Sequence, residues 1–378
     1  MVPVVGLLLL LLLLLPSTSY ADMWHIPLSG NVYPIGHFYA TMYIGEPAKP
    51  YFLDIDTGSS LTWIECDAGS GSCEHCNKVP HPLYRPTPDK LVPCATPLCN
   101  ALHQDLGRTN DCRDRPNQCD YDIAYLDGLG SRGVLLLDKL SPAANADRPS
   151  IAFGCGYDQV GPSRQQNVNV VVDGILGLGR GSIDLVSQLK QQAIITNNLF
   201  GHCFSSKGGG YLVIGMDRLP LNIPWVPMSR NTNYYSPGPA TLNLDTELIL
   251  TKPMEVIFDS GSTFTHLPED LHAQLVAALK ATLSQSLEEV HDDSLPEHPC
   301  WKQPGGFKSL DDLKMEFKSV MSLEFQNGAT MMIPPERYLV VTTNGNACFG
   351  ILGREDINMY IVGDITMHDQ LVLYDQRD

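Results

Sequence analysis

Phe52, Leu53, Asp54, Ile55, Asp56, Thr57, Gly58, Ser59, Ser60 and, about 200 residues further on, Met254, Glu255, Val256, Ile257, Phe258, Asp259, Ser260, Gly261, Ser262, Thr263 are two versions of one pattern. In each, a short apolar run of strand character delivers Asp, a hydroxyl residue and Gly into a turn. One such triplet is a weak signal, because Asp and Gly after a strand commonly just close a turn. Two in matched apolar settings are a strong one. A second pair follows at a similar distance: Gly174, Ile175, Leu176, Gly177 and Tyr360, Ile361, Val362, Gly363. The interval far exceeds the roughly 20–50 residue period of a solenoid and indicates two copies of one lobe.

A two-fold relation between the copies would bring Asp56 and Asp259 together on opposing loops. Like charges that close cannot both ionise, so the two carboxyls share one proton and titrate as a unit. One then acts as a base toward water while its protonated partner hydrogen-bonds a carbonyl. That combination hydrolyses a peptide bond without a covalent adduct.

The rest of the chain fits a protein built on such a pair. Its 378 residues allow two or three domains. A net charge of −17 repels nucleic acid and anionic membrane surfaces. With 18% charged and 43% hydrophobic residues, Gly 32 and Pro 28, the composition suits a β-rich chain. Strands are expected at 38–44, 211–214, 338–342 and 370–374. A helix should start at Pro268, Glu269 and Asp270 and bury Leu271, Leu275, Leu279, Leu283 and Leu287. A shorter one is expected over 183–191, with Leu185, Val186 and Leu189 inward. The stretch 292–307 reads as a surface loop pinned by Cys300.

Leu occupies every position from 7 to 15, and Ser17, Ser19 and Ala21 follow. Residues 1–21 therefore read as a signal peptide, although no Lys or Arg precedes the apolar run. The rival reading, a membrane span, needs about 20 apolar residues. Two further domains are expected at 22–217, carrying Asp56 and a cysteine-rich insertion at 66–119, and at 218–378, carrying Asp259. Eleven cysteines on a secretory route imply a disulfide framework, and their odd number leaves one thiol over. Seven lie between Cys66 and Cys119, where little regular structure is expected. Cys73, His75 and Cys76 raise zinc as an alternative, which the oxidising compartment disfavours, so neither metal nor cofactor is expected. No GxSxG elbow supports a serine hydrolase. His202 and His266 read as packed or surface residues rather than bases. No N-glycosylation sequon occurs.

From Tyr33 to Asp375 the chain resembles the pepsin-type aspartic proteases of family A1, most closely their plant nucellin-like and nepenthesin-like branch. The resemblance implies an all-β, bilobal fold with the cleft between pseudo-symmetric lobes, and Asp56 and Asp259 as the catalytic pair. It implies that Thr57 and Ser260 link the two loops, Gly58 and Gly261 admit substrate backbone, and 175–177 with 361–363 brace the aspartates. Ser59 would support Asp56, Trp63 would support the flap, and Thr263 would touch bound peptide. The flap resembles Tyr125, Leu126, Asp127, Gly128, with Tyr125 over the pair and Tyr121 as the alternative. Pairings implied are Cys66 with Cys155, Cys73 with Cys76, Cys94 with Cys112, Cys99 with Cys119 and Cys300 with Cys348, leaving Cys203. Relatives run on into a final strand with a terminal Cys, so a shortened second lobe is expected, as is little room for an inhibitory prosegment before Phe38. The implied activity is acidic endoproteolysis by a monomer acting on protein or peptide substrates, extracellular or vacuolar. The alternative is a catalytically impaired binding or inhibitor protein. Xylanase-inhibitor-like relatives of that kind often lose one aspartate motif, whereas both are intact here.

Overall fold

The apolar run before Asp56 becomes the strand Lys49–Asp56, and its last four residues are buried. A strand whose two faces are both covered has no need of alternation and reads as nearly continuous apolar sequence. The computed structural model describes residues 23–67, 79–109, 112–144, 148–161, 172–217, 223–230, 232–249 and 252–377. The proposed signal peptide and the Cys73–Cys76 pair lie outside them. Helices are few and short; no helix among the described residues is long and apolar enough to cross a membrane.

Lys49–Asp56 pairs parallel with Gly174–Gly177, which pairs antiparallel with Trp63–Glu65, itself parallel to Ser150–Val160. The second half repeats this arrangement. Met254–Phe258 pairs parallel with Tyr360–Val362, which meets Thr265–Pro268 antiparallel, and that strand is parallel to Ile351–Arg354. Ten strands of the first half and one of the second form an 11-stranded sheet, while the other strands of the second half are divided between 8-stranded and 4-stranded sheets. Leu371–Asp375 crosses back to the first half, pairing with Leu199–Phe204. The fold is mainly β, in two halves of matching topology.

The expected strands occur at His37–Ile44, Gly210–Ile214, Leu339–Val341 and Leu371–Asp375. The long helix spans Glu269–Thr282 and buries Leu271, Leu275 and Leu279. It stops before Leu283 and Leu287, because Leu283 is extended and the loop beyond is organised by Ser284 and Ser286. The shorter helix starts late, at Leu185, since Asp184 caps it by accepting the N–H groups of Val186 and Ser187.

Two expectations are corrected. The stretch 292–307 is not simply a surface loop: it contains the strand Cys300–Lys302 with Trp301 fully buried, and Asp292 is buried beneath five hydrogen bonds. The cysteine-rich segment contains a helix, Pro97–Asp105, with Thr96 as its cap and Pro97 in its first turn. Proline there gives up no hydrogen bond, so it starts a helix instead of breaking one. Among the described residues four disulfides join Cys66–Cys155, Cys94–Cys112, Cys99–Cys119 and Cys300–Cys348, the first across 89 residues. Cys203 is a half-buried free thiol.

Candidate active site

Asp56 ends its strand and Asp259 directly follows Met254–Phe258, so both are delivered at the same point of the repeated topology. Each carboxylate hangs in its own turn. Asp56 Oδ1 accepts the N–H groups of Gly58 at 2.7 Å and Ser59 at 3.1 Å, while Oδ2 accepts the Ser59 hydroxyl. Asp259 Oδ1 accepts Gly261 N–H at 3.0 Å, and Oδ2 accepts the Ser262 hydroxyl at 2.8 Å. Ser262 is thus the counterpart of Ser59. Sequence reasoning missed it, although aligning the two repeats puts a Ser three residues after each Asp.

The turns interlock. Thr57 and Ser260 exchange backbone and hydroxyl hydrogen bonds across the halves, and the Thr57 hydroxyl donates to Phe258 O while that of Ser260 donates to Ile55 O. This brings the two aspartates side by side, each against the glycine of the opposite loop. A methyl at Gly58 would lie 2.5 Å from Asp259 Oδ1, and one at Gly261 2.6 Å from Asp56 Oδ1. Both glycines are therefore required by the approach of the opposite carboxylate. Gly174–Gly177 pairs along the strand that ends at Asp56, with Leu178 N–H donating to Asp56 O, and Asp259 N–H donates to Val362 O, so these segments hold the aspartate backbones.

Burial pushes both carboxyls up from their ordinary range, and for Asp56 the charge of Asp259 adds to it; Asp56 is held well above. Two further buried carboxyls surround the pair. Asp54 is raised by burial despite His37 Nδ1 at 2.7 Å, and Asp364, buried directly after Gly363, is held well above its usual range by burial and by the other three. Neither was singled out from sequence, where an Asp behind a motif looks like any turn or surface acid.

The flap is the turn between Asp120–Ala124 and Gly130–Ser141, closed by Tyr125 N–H to Leu129 O and Gly128 N–H to Tyr125 O. The Tyr125 hydroxyl accepts Trp63 Nε1 at 2.6 Å and also contacts Ser59, so it is connected to Asp56 through one side chain. Tyr121 is elsewhere, buried with its hydroxyl on Ser131. Thr263 lines the cleft, and its hydroxyl donates to Gly36 O, a tie between the halves. His266 also lines the cleft, and burial lowers it to about 4; His202 is buried against Phe204 and Tyr374 and lowered to about 3. Both are packed groups. Cys99, His103 and Cys119 converge, but the two sulfurs form one disulfide and offer no thiolate to a metal.

The cleft lined by Asp54, Asp56, Asp259 and Tyr125 has a volume of about 1380 Å³, and Phe264, His266 and Arg354 line it as well.

Residues 38–216 match the family described as xylanase inhibitor N-terminal, and 238–378 the one described as xylanase inhibitor C-terminal. An aspartic proteinase of Oryza sativa subsp. japonica is 47% identical over 98% of this chain and 92% of its own. Aspartic proteinase nepenthesin-2 of Nepenthes gracilis is 24% identical over 91% of this chain and 76% of its own. Among solved structures, the crystal structure of the aspartic proteinase from Irpex lacteus aligns with a TM-score of 0.62 and 15% identity, over 94% of this chain and 95% of that one. With the duplicated aspartate loops in place and these similarities along almost its whole length, the chain belongs to the pepsin-like family of plant aspartic proteinases.

Proposed function

We propose that this protein is an endopeptidase that hydrolyses peptide bonds of proteins in acid, using a water activated by Asp56 and Asp259. The observation that supports it most is the approach of two carboxyls, buried Asp56 and half-buried Asp259, one from each half and each hung from its own loop amides. With one proton shared, the ionised member takes a proton from water as the water oxygen attacks the scissile carbonyl carbon. The protonated member gives its hydrogen to the carbonyl oxygen. The resulting tetrahedral diol collapses as the amide nitrogen gains a proton and the C–N bond breaks. Neither aspartate bonds to the substrate. In this reading Gly58 and Gly261 leave room beside the carboxyls, Ser59, Thr57, Ser260 and Trp63 fix the geometry, and Tyr125 covers the pair and excludes water. Activity is confined to acid because the raised carboxyls lose their shared proton as pH rises.

The assignment extends to a secreted, signal-bearing monomer of the nucellin-like branch, acting on protein or peptide in an extracellular or vacuolar setting. No nucleic acid or lasting membrane contact is part of it. A net charge of −17 and the apolar leader support that reading.

Digestion of denatured globin across a pH series, with and without pepstatin, tests the function. Pepstatin-sensitive cleavage below neutrality is expected, and Asp56→Asn or Asp259→Asn should each remove it by about a thousandfold or more. A folded wild-type chain without such cleavage would support the binding-protein reading that the family descriptions carry, against which both intact aspartate loops stand.

A further inference from the structure

Arg354 ends the strand Ile351–Arg354 in the second half, on the cleft wall opposite the flap. Its guanidinium is forked onto Asp356, with Nε to Oδ1 at 2.8 Å and Nη2 to Oδ2 at 2.7 Å. The same Nη2 donates to the main-chain carbonyl of Leu126, at the flap tip, at 2.7 Å. Asp127, the next flap residue, adds its charge to the surroundings of the guanidinium. The flap is therefore held from both halves through two neighbouring residues: Tyr125 to Trp63 on its own half, and Leu126 to Arg354 on the other.

A carboxylate-anchored guanidinium is well suited to this task. Its planar fork is fixed by two bonds to Asp356, so donating a third costs little side-chain freedom. The acceptor is a backbone carbonyl, which any flap sequence presents. The neighbouring Leu126 side chain is exposed, so apolar packing is not what holds the tip down. Opening the cleft from above must break the Arg354–Leu126 bond, and closing the flap remakes it.

We infer that Arg354, oriented by Asp356, is a latch that ties the flap to the opposite half over a bound peptide, and so a positioning residue for the reaction. It touches no reacting atom and acts through the placement of Tyr125 above the aspartates. The part of this inference read by turnover rests on the proteolytic function proposed above; the part read on the free protein does not.

The test compares the full chain with its Arg354→Ala, Arg354→Lys and Asp356→Asn variants. Hydrogen exchange of the 120–130 segment without substrate reads the latch directly, through the amides of Tyr125 and Gly128 that close the turn. Arg354→Ala should speed exchange there by about three- to tenfold, as expected for losing one charged hydrogen bond at a partly exposed site, and leave distant segments unchanged. Asp356→Asn should give a smaller increase, and Arg354→Lys should retain part of the protection. In peptide cleavage the Ala variant should raise KM by a similar factor, with kcat changed less. Unaltered flap exchange in Arg354→Ala would overturn the latch whatever the activity. So would faster exchange spread evenly over the second half, which would mark a merely structural residue. If flap exchange responds but wild-type protein shows no pepstatin-sensitive cleavage, the latch stands and the proteolytic reading fails.

Discussion

Thr57 Oγ1 accepts the backbone N–H of Ser260 at 2.9 Å, while Ser260 Oγ accepts that of Thr57 at 3.1 Å. Each side chain satisfies a buried donor of the other half and sends its own proton to a carbonyl there. The two aspartate loops consequently share one hydrogen-bond network and cannot move apart without stranding buried polar groups.

Removing either hydroxyl should destabilise the protein by about 1–3 kcal/mol, since a buried amide and carbonyl each lose a partner. Thr57→Val and Ser260→Ala are the direct variants. Their double mutant should cost less than the sum, as expected of one network, whereas Thr57→Ser should remain near wild type. Urea denaturation measures all of these, and strict additivity would refute the shared network.

Gly58→Ala and Gly261→Ala should each lower kcat/KM more than tenfold while the chain still folds. The added methyl would stand 2.5 Å or 2.6 Å from a carboxylate oxygen of the opposite half and force the pair apart. Steady-state cleavage with a circular dichroism control checks this. Near-wild-type turnover in both would show that the carboxyls need not meet.

Stability should peak in mild acid. Asp56 and Asp364 are held well above the ordinary carboxyl range and Asp184 rises to about 7, all through burial. The folded state thus binds more protons than the unfolded one. This contribution is complete below about pH 4 and fades as pH climbs through the folded values. His202 at about 3 and His368 at about 4 work the other way: folding keeps them neutral, so their contribution is complete above about pH 6.5 and fades as pH falls through the folded values. Asp184→Asn, which keeps a capping side chain, should flatten the neutral limb alone, and His202→Phe the acid limb alone. Thermal midpoints from pH 3 to 8 decide it; an unchanged profile in both variants would contradict the assigned shifts.

Peptide mapping under non-reducing conditions should recover Cys66–Cys155, Cys94–Cys112, Cys99–Cys119 and Cys300–Cys348, with Cys203 alkylated once the chain is unfolded. Removing the Cys99–Cys119 bridge should cost about 2–5 kcal/mol, because it joins the short helix Pro97–Asp105 to the start of the flap hairpin. Recovery of Cys203 in an intramolecular bridge would contradict the described pairing.

The order of residues alone determined the duplicated Asp-hydroxyl-Gly turns, the apolar strands that deliver them and the helix beginning at Glu269, because each depends on neighbours within a few positions. It left the ends of elements open: Leu283 continues the helical spacing perfectly well, yet Ser284 and Ser286 organise a turn there instead. It gave no sign that Trp301 would be buried in a strand. Tertiary structure decided everything that depends on two distant segments meeting. Asp364 and Asp54 become part of the acid cluster only when the halves close around them, and Thr263 spends its hydroxyl on Gly36 only because the first half arrives beside it. Arg354 likewise reaches Leu126 across 228 positions of chain. A carboxyl's charge and a hydroxyl's partner are set by burial and by what lies within about 3 Å, and neither is a property of the local sequence.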